Sequence, residues 1–305
     1  MSYFTFSLVD PRSFIITPQK NAEISHDSRI ISMIDTVHGQ LMGQALAQML
    51  DDVGPQLSPH SVHAVFSSPV SSVRWDSQTI SQGKNFINKA IRGQSNGHTR
   101  CAINCSLTSR NSYENQLKQY DHYQEEVQKK RSESEANGLE FDDDDIDIKK
   151  VDFPFRFQVP FPEGVKNLKL SKLDSVVDGD MEFKLPQGRT LDFQSDNYDK
   201  TTSFFVRLVQ PTTNKFVDLA QLSDGLGIFQ FKTGTRQNRS VVHTRVLLVH
   251  DIDFDTSHFL TVQARLVAYK HGQLLMEAEI FNLNGIQVAT IHQQSSVIVE
   301  SSVKL

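Results

Sequence analysis

Asp224 is a carboxylate that could take part in chemistry if its side chain reaches a pocket. It lies in an otherwise apolar stretch formed by Leu219, Ala220, Leu222, Leu226 and Phe229. A carboxylate in such a stretch has to face either solvent or a polar pocket, because burying it without a partner is costly. In a pocket it can orient a water molecule or remove its proton. Asp224 therefore faces either a polar pocket or solvent at an exposed helix position.

Histidines and cysteines offer weaker candidates. His38, His60 and His63 could act as bases or metal ligands, but their positions before a helix and on a strand favour packing or hydrogen bonding. Cys101 and Cys105 alternate onto one face of a predicted strand, and two thiols without a second pair of ligands do not make a zinc site. We expect buried cysteines in a reducing compartment and neither a metal nor a cofactor.

Composition excludes several classes of protein. Of the 305 residues, 38% are hydrophobic and 22% charged, and the net charge of -5 gives no indication of nucleic-acid binding. No apolar run approaches the roughly 20 residues that span a bilayer, and the first residues lack the pattern of a signal peptide. The Gly-x-Ser-x-Gly match at residues 93–97 falls in a predicted turn between two strands, whereas the elbow of a serine hydrolase joins a strand to a helix. A glycine-rich nucleotide loop is missing from the sequence.

The last three residues, Val303, Lys304 and Leu305, are similar to a peroxisomal address, with valine in place of the usual small residue. A polar tail without a signal is the alternative. We expect a peroxisomal location if the address is read, and otherwise a cytoplasmic one.

The elements that would position Asp224 fall into two similar halves. In the first half, residues 30–50 have helical spacing, and strands are predicted at 61–67, 73–81, 85–93 and 100–106. In the second half, a strand at 203–209 precedes a helical segment at 216–231. Strands are then predicted at 241–249, 260–269, 274–282 and 287–299. This order predicts two antiparallel sheets, each wrapped around a helix, and indicates an internal duplication that is visible in pattern rather than in letters.

A charged segment separates the halves. Residues 114–133 could form a solvated helix, and the run of aspartates at 142–145 lacks the spacing and the glycine of a calcium loop. We interpret residues 113–187 as an acidic low-complexity insert and linker between residues 1–112 and residues 188–305.

Five motifs, in order along the chain, resemble those of the type II acyl-CoA thioesterases. They are GQLMGQAL at 39–46, HSVHAVF at 60–66, GKNFINK at 83–89, LSD at 222–224 and NGIQVATIHQ at 284–293. The resemblance covers both halves. It implies an α+β double-hotdog fold, with residues 1–112 as the N-terminal hotdog and residues 188–305 as the C-terminal hotdog.

The resemblance also implies a set of site residues. Members of that family hold the attacking water with an aspartate, a hydroxyl and a glutamine, and Asp224 and Gln293 match the first and the last, with the adjacent Gln294 as an alternative. The hydroxyl has no clear counterpart, because the Asp-His pair that follows it in the family is missing. Alignment gives Val242 or His243, and the nearest hydroxyls are Thr244 and Ser240. We choose Thr244 as the third site residue.

Two functions follow as expectations. The first is hydrolysis of fatty acyl-CoA to a fatty acid and CoA, by water that Asp224, Thr244 and Gln293 orient. The second is acyl-CoA binding by a double hotdog that has lost turnover, which the unmatched hydroxyl and the missing pair favour. A dehydratase is less favoured, because no histidine is placed to act with Asp224. Fatty acyl-CoA is the expected partner, and a homo-oligomer formed through sheet edges is possible.

Overall fold

The computed structural model describes residues 4–10, 13–18, 38–67, 73–138, 159–163, 165–178, 180–185, 201–228, 232–233 and 236–299. The aspartate run at 142–145 and the ending at 303–305 lie outside the described residues, as do residues 30–37 of the first predicted helix.

The first half contains a helix followed by four strands. Helix α1 spans His38–Asp51. Strands β1 and β2, which were not predicted, are Phe4–Asp10 and Ser13–Pro18, and the predicted strands are β3 (Leu57–Phe66), β4 (Val73–Gln82), β5 (Phe86–Ser95) and β6 (His98–Ser109). The β5–β6 hairpin turns at Asn96 and Gly97, whose φ angles of 53° and 75° suit a two-residue turn of type I′.

The charged segment begins with a long helix. Helix α2 spans Arg110–Ala136, and its side chains are mostly exposed where they are described, as expected of a solvated helix. Two unpredicted strands follow, β7 (Asp174–Asp178) and β8 (Met181–Leu185). Because β8 pairs with β9 (Thr201–Leu208), the sheet of the C-terminal half begins before residue 188, the boundary that we predicted.

The second half repeats the order of the first. Helix α3 spans Lys215–Leu222 and continues as a 3₁₀ helix over Ser223–Ile228. The α-helix is shorter than predicted, because serine, aspartate and glycine at 223–225 are weak helix formers and a tighter turn is common where a helix ends. The remaining strands are β10 (Lys232–Thr233), β11 (Arg236–Val249), β12 (Leu260–Lys270), β13 (Gln273–Phe281) and β14 (Gln287–Val299).

The strands of both halves form one sheet. The order is β1-β2-β4-β5-β6-β3-β11-β14-β13-β12-β9-β8-β7, so β3 and β11 lie side by side at the centre and the strand order of one half mirrors that of the other. These two strands pair antiparallel, with Arg245 opposite Ala64 and Leu247 opposite Val62. Helices α1 and α3 pack against each other, and the buried apolar side chains of both halves form a single cluster. This is the predicted double hotdog.

The two cysteines lie in this core. Both are free and buried, and burial raises the pKa of Cys101 to about 12 and also raises that of Cys105. Among the described helices, none is long and apolar enough to span a membrane.

Candidate active site

Asp224 lies where the end of α3 meets the start of α1. Its Oδ1 accepts a hydrogen bond from the backbone N–H of Gly39 at 2.6 Å, and its Oδ2 accepts one from Gln40 at 3.2 Å. These amides belong to the first turn of α1, whose N–H groups have no partner within the helix and favour a negative charge. Gly39 permits the approach, since a Cβ there would lie 2.7 Å from the carbonyl oxygen of Ala220. Asp224 therefore faces a polar pocket rather than solvent.

Arg245 fills the space between Asp224 and Gln293. Its side chain comes from β11 and is only 1% exposed. Nη1 donates to Oδ1 of Asp224 at 2.7 Å and to the hydroxyl of Ser223 at 2.8 Å. Nε and Nη2 both donate to Oε1 of Gln293, at 3.0 and 2.6 Å. The guanidinium thus connects the two residues that the motifs placed in the site.

Gln293 occupies the site through its position on β14. It is buried and pairs directly with Arg245 across the sheet, whereas the exposed side chain of Gln294 lies on the opposite face. The Nε2 of Gln293 donates to the hydroxyl of Ser295, two residues further along the same face, at 3.1 Å. The hydroxyl of Ser223 in turn donates to the carbonyl oxygen of Ala220 at 2.5 Å. Two buried hydroxyls, those of Ser223 and Ser295, therefore complete the cluster.

The structure does not bring Thr244 into this cluster. A bulge between Val242 and Thr244 shifts the register, so Val242 pairs with the buried Ser295 while Thr244 pairs with the exposed Gln294. Thr244 and Val242 therefore lie on opposite faces of the strand. His243, at the bulge, contacts the hydroxyl of Ser296 through Nε2 at 2.5 Å.

Val242 and Ser240, the remaining candidates for the hydroxyl position, do not supply a described hydroxyl to the cluster. Val242 is buried but has no hydroxyl, and the side chain of Ser240 lies outside the described residues. The position that faces Asp224 from β11 belongs to Arg245, which the motif alignment did not consider. The sequence contained a sign of this role for Arg245. Arg245 alternates with the apolar Leu247 and Val249, so all three side chains share one strand face, and burying that face also buries the charge of Arg245.

Burial governs the electrostatics of the cluster. It raises the pKa of Asp224, and the Arg245 guanidinium and the two α1 amides oppose this rise by stabilising the carboxylate. The adjacent His38 is buried, and desolvation, Arg245 and His243 lower its pKa from the usual 6.5 to about 3. His38 is therefore neutral at pH 7 and packs edge-on against Phe66, with 4.3 Å between ring centroids.

His60 and His63, the other two histidines considered as candidates from the sequence, are exposed side chains on β3. The ring of His60 lies 6.2 Å from that of Phe86. Within the described part of the chain, no group of three or more His, Cys, Asp or Glu side chains is placed to hold a metal ion.

The cluster contains the side chains of a water-orienting site, but Arg245 occupies hydrogen-bond acceptors of both Asp224 and Gln293. A hydrolytic water requires acceptors that are free to take its protons. Oδ1 of Asp224 already accepts from Gly39 and Arg245, and Oε1 of Gln293 accepts twice from Arg245. The arrangement can fix α1, α3, β11 and β14 relative to one another, and a water held directly between Asp224 and Gln293 would have to displace the guanidinium.

Comparison with solved structures supports the same fold. The acyl-CoA thioesterase II TesB2 of Mycobacterium marinum aligns over 97% of this chain and 97% of its own, with 12% identity and a TM-score of 0.62. A conserved hot-dog-fold protein of unknown function from Alicyclobacillus acidocaldarius aligns over 98% and 97%, with 12% identity and a TM-score of 0.63. The tesB protein of Mycobacterium avium subsp. paratuberculosis aligns over 96% and 95%, with 13% identity and a TM-score of 0.57.

These likenesses confirm the double-hotdog fold over nearly the whole length of the chain. No protein-family model and no curated protein sequence matches the chain.

Proposed function

We propose that this protein binds fatty acyl-CoA in a double hotdog whose Asp224 site does not hydrolyse the thioester. The fold shared with acyl-CoA thioesterases supports acyl-CoA as the ligand. One observation supports the proposed lack of hydrolysis: the guanidinium of Arg245 lies between Asp224 and Gln293 and is hydrogen-bonded to both.

Displacing that guanidinium would be costly. Arg245 and Asp224 form a buried ion pair with 2.7 Å between nitrogen and oxygen, and their side chains are 2% and 4% exposed. Breaking a buried pair by removing one partner costs about 3–5 kcal/mol, because the other charge is left without compensation. A water molecule entering between Asp224 and Gln293 would have to replace several charge-assisted bonds at once. The folded protein therefore favours the arrangement in which Arg245 stays bonded to both Asp224 and Gln293.

An active acyl-CoA thioesterase is the second candidate, favoured by the hydroxyls of Ser223 and Ser295. With Asp224 and Gln293 they reproduce the types of side chain that the family uses, although at different positions. Four hydrogen bonds from Arg245 are described, whereas a guanidinium has five N–H groups. The fifth N–H could stabilise the negative charge that develops on the thioester oxygen.

Free-thiol release from short, medium and long acyl-CoAs distinguishes the two candidates when it is measured beside acyl-CoA binding. We expect saturable binding and no thiol release above that of an Asp224→Ala variant. Turnover by the natural protein that disappears in Asp224→Ala would establish the thioesterase instead. Absence of both binding and turnover would overturn both candidates.

Arg245→Thr tests whether the guanidinium is the cause. The substitution removes the charge that occupies Asp224 and supplies a hydroxyl on the same strand face. We expect the folded variant to release thiol, and Arg245→Thr/Asp224→Ala to lose that activity. Arg265→Thr, at a half-exposed arginine on β12, is the matched control and should remain inactive. A folded Arg245→Thr protein that binds acyl-CoA without releasing thiol would contradict this explanation.

A further inference from the structure

The ends of the two central helices repeat a short sequence. Residues 46–54 read LAQMLDDVG at the end of α1, and residues 219–227 read LAQLSDGLG at the end of α3 and its 3₁₀ extension. The repeat pairs Asp51 with Asp224 and Gly54 with Gly227. The duplication is therefore visible in letters at this point, and the molecule contains a second position equivalent to that of Asp224.

The second position lies at the opposite end of the helix pair. The start of α1 packs on the end of α3, as the contact of Gly39 with Ala220 and Asp224 shows. The end of α1 correspondingly meets the start of α3, where Leu50 and Asp51 share a cleft with Lys215. Since α1 extends over 14 residues at about 1.5 Å each, roughly 20 Å separates the two ends.

The two positions differ in how closely the partner helix approaches. The repeat aligns Thr212 with Gly39, the first amide donor to Asp224. The N–H of Thr212 instead donates to Asp218 at 2.9 Å, and α3 begins only at Lys215, after the Asn214 cap. No helical turn therefore reaches Asp51, and a cleft of about 730 Å³ lies there.

The base of this cleft is apolar, whereas its more exposed lining is polar and its rim is acidic. Buried side chains from both halves line it, namely Leu50, Leu57, Phe216 and Phe254. Asp51 and Asp255 are exposed at the rim, and hydrogen bonds from Ser257 lower the pKa of Asp255, which keeps it ionised at neutral pH. The nearby ammonium of Lys215 is already engaged, since it donates to the carbonyl oxygen of Ile252 and lies 4.9 Å from the Phe254 ring centroid.

We propose that this cleft, rather than the Asp224 cluster, is where the protein binds the acyl end of its thioester ligand. Its volume is within the range of about 300–1,000 Å³ typical of small-molecule sites. The acyl chain lies against the apolar side chains at the base of the cleft, and the thioester lies at the Asp51 rim. The nucleotide of CoA stays outside, because the rim carboxylates repel its phosphates. This inference rests on the proposed acyl-thioester binding and assigns it a location.

Calorimetric titration of the full chain with decanoyl-CoA and with decanoyl-pantetheine, which lacks the nucleotide, tests this assignment. At low ionic strength we expect decanoyl-pantetheine to bind at least as tightly as decanoyl-CoA. Thr213→Trp adds an indole at an exposed residue that lines the cleft, and we expect it to weaken binding of both ligands by about tenfold or more. Thr79→Trp makes the same change at an exposed residue of β4 and should leave binding unchanged.

Photo-crosslinking with a diazirine-labelled decanoyl thioester gives a readout that needs no variant. We expect labelled peptides to contain residues of the cleft, such as Leu57 or Phe254. Labelling confined to peptides that carry Gly39 or Gln293, or unchanged affinity in Thr213→Trp, would overturn the location while leaving acyl-thioester binding intact. Failure of both ligands to bind the natural protein would instead overturn the proposed function itself.

Discussion

At the scale of single residues, the Asp224–Arg245 pair should dominate local stability. Asp224→Asn removes one charge and leaves Arg245 buried without compensation, so we expect the free energy of unfolding to fall by about 3–5 kcal/mol in urea denaturation. The control is Glu163→Gln, which removes one charge from an exposed pair with Lys166 and should cost about 0–1 kcal/mol. Equal losses in the two variants would contradict the buried pair.

His38 makes a prediction about pH. Its pKa is about 3 in the folded protein and 6.5 when unperturbed, so between these values the unfolded chain binds the proton more readily. The contribution of His38 to stability is complete above pH 6.5 and is lost as the pH falls toward 3. His38→Phe keeps a ring against Phe66, and the stability curve of this variant should therefore fall less steeply below pH 6.5.

The same substitution at the exposed His98, His98→Phe, is the control for this pH dependence. It should leave the slope of the natural protein unchanged. Parallel curves for His38→Phe and the natural protein would contradict a neutral, buried His38.

At the scale of elements, the crossing of α1 and α3 depends on glycine. A Cβ at Gly39 would lie 2.7 Å from the carbonyl oxygen of Ala220 and 2.8 Å from Cγ of Asp224, both closer than normal contact. Alanine would otherwise favour the helix by about 1 kcal/mol. We expect Gly39→Ala nevertheless to destabilise the protein, because the two helices have to move apart and the amide bonds to Asp224 lengthen.

Thermal unfolding measures this effect, with Gly83→Ala as the control. A Cβ at Gly83 would lie 3.6 Å from the carbonyl oxygen of Phe86, an ordinary contact, and the residue is exposed. An unchanged or raised melting temperature for Gly39→Ala would mean that the crossing tolerates the added methyl group.

At the scale of the whole molecule, the joined sheet and the single core predict cooperative unfolding. Trp75, the only tryptophan, is fully buried in the N-terminal half and reports on that half by fluorescence. Circular dichroism reports on both halves. We expect the two signals to change together in urea, because separating β3 from β11 would expose the apolar cluster that both halves share. Two separate transitions would show that the halves unfold independently.

The sequence by itself determined the architecture and two members of the candidate site. Alternation and helical spacing depend on local chain geometry, so they located β3 to β6, β9, β11 to β14 and the helices around Leu46 and Leu219. Asp224 and Gln293 were identified through motifs that depend on order along the chain. Strands β7 and β8 were missed; they pair with each other and join the sheet only through the contact of β8 with β9, which is more distant in sequence.

Only the tertiary structure decided which side chain lies between Asp224 and Gln293. The bulge at His243 places Val242 on the inner face together with Arg245 and leaves Thr244 opposite Gln294, because a one-residue shift in register exchanges the faces of a strand. A bulge is a property of two paired strands, and the alternation of one strand does not reveal it. The sequence also did not predict the cleft beside Asp51. The cleft exists because α3 begins at Lys215, later in the repeat than α1, so no turn of α3 covers Asp51.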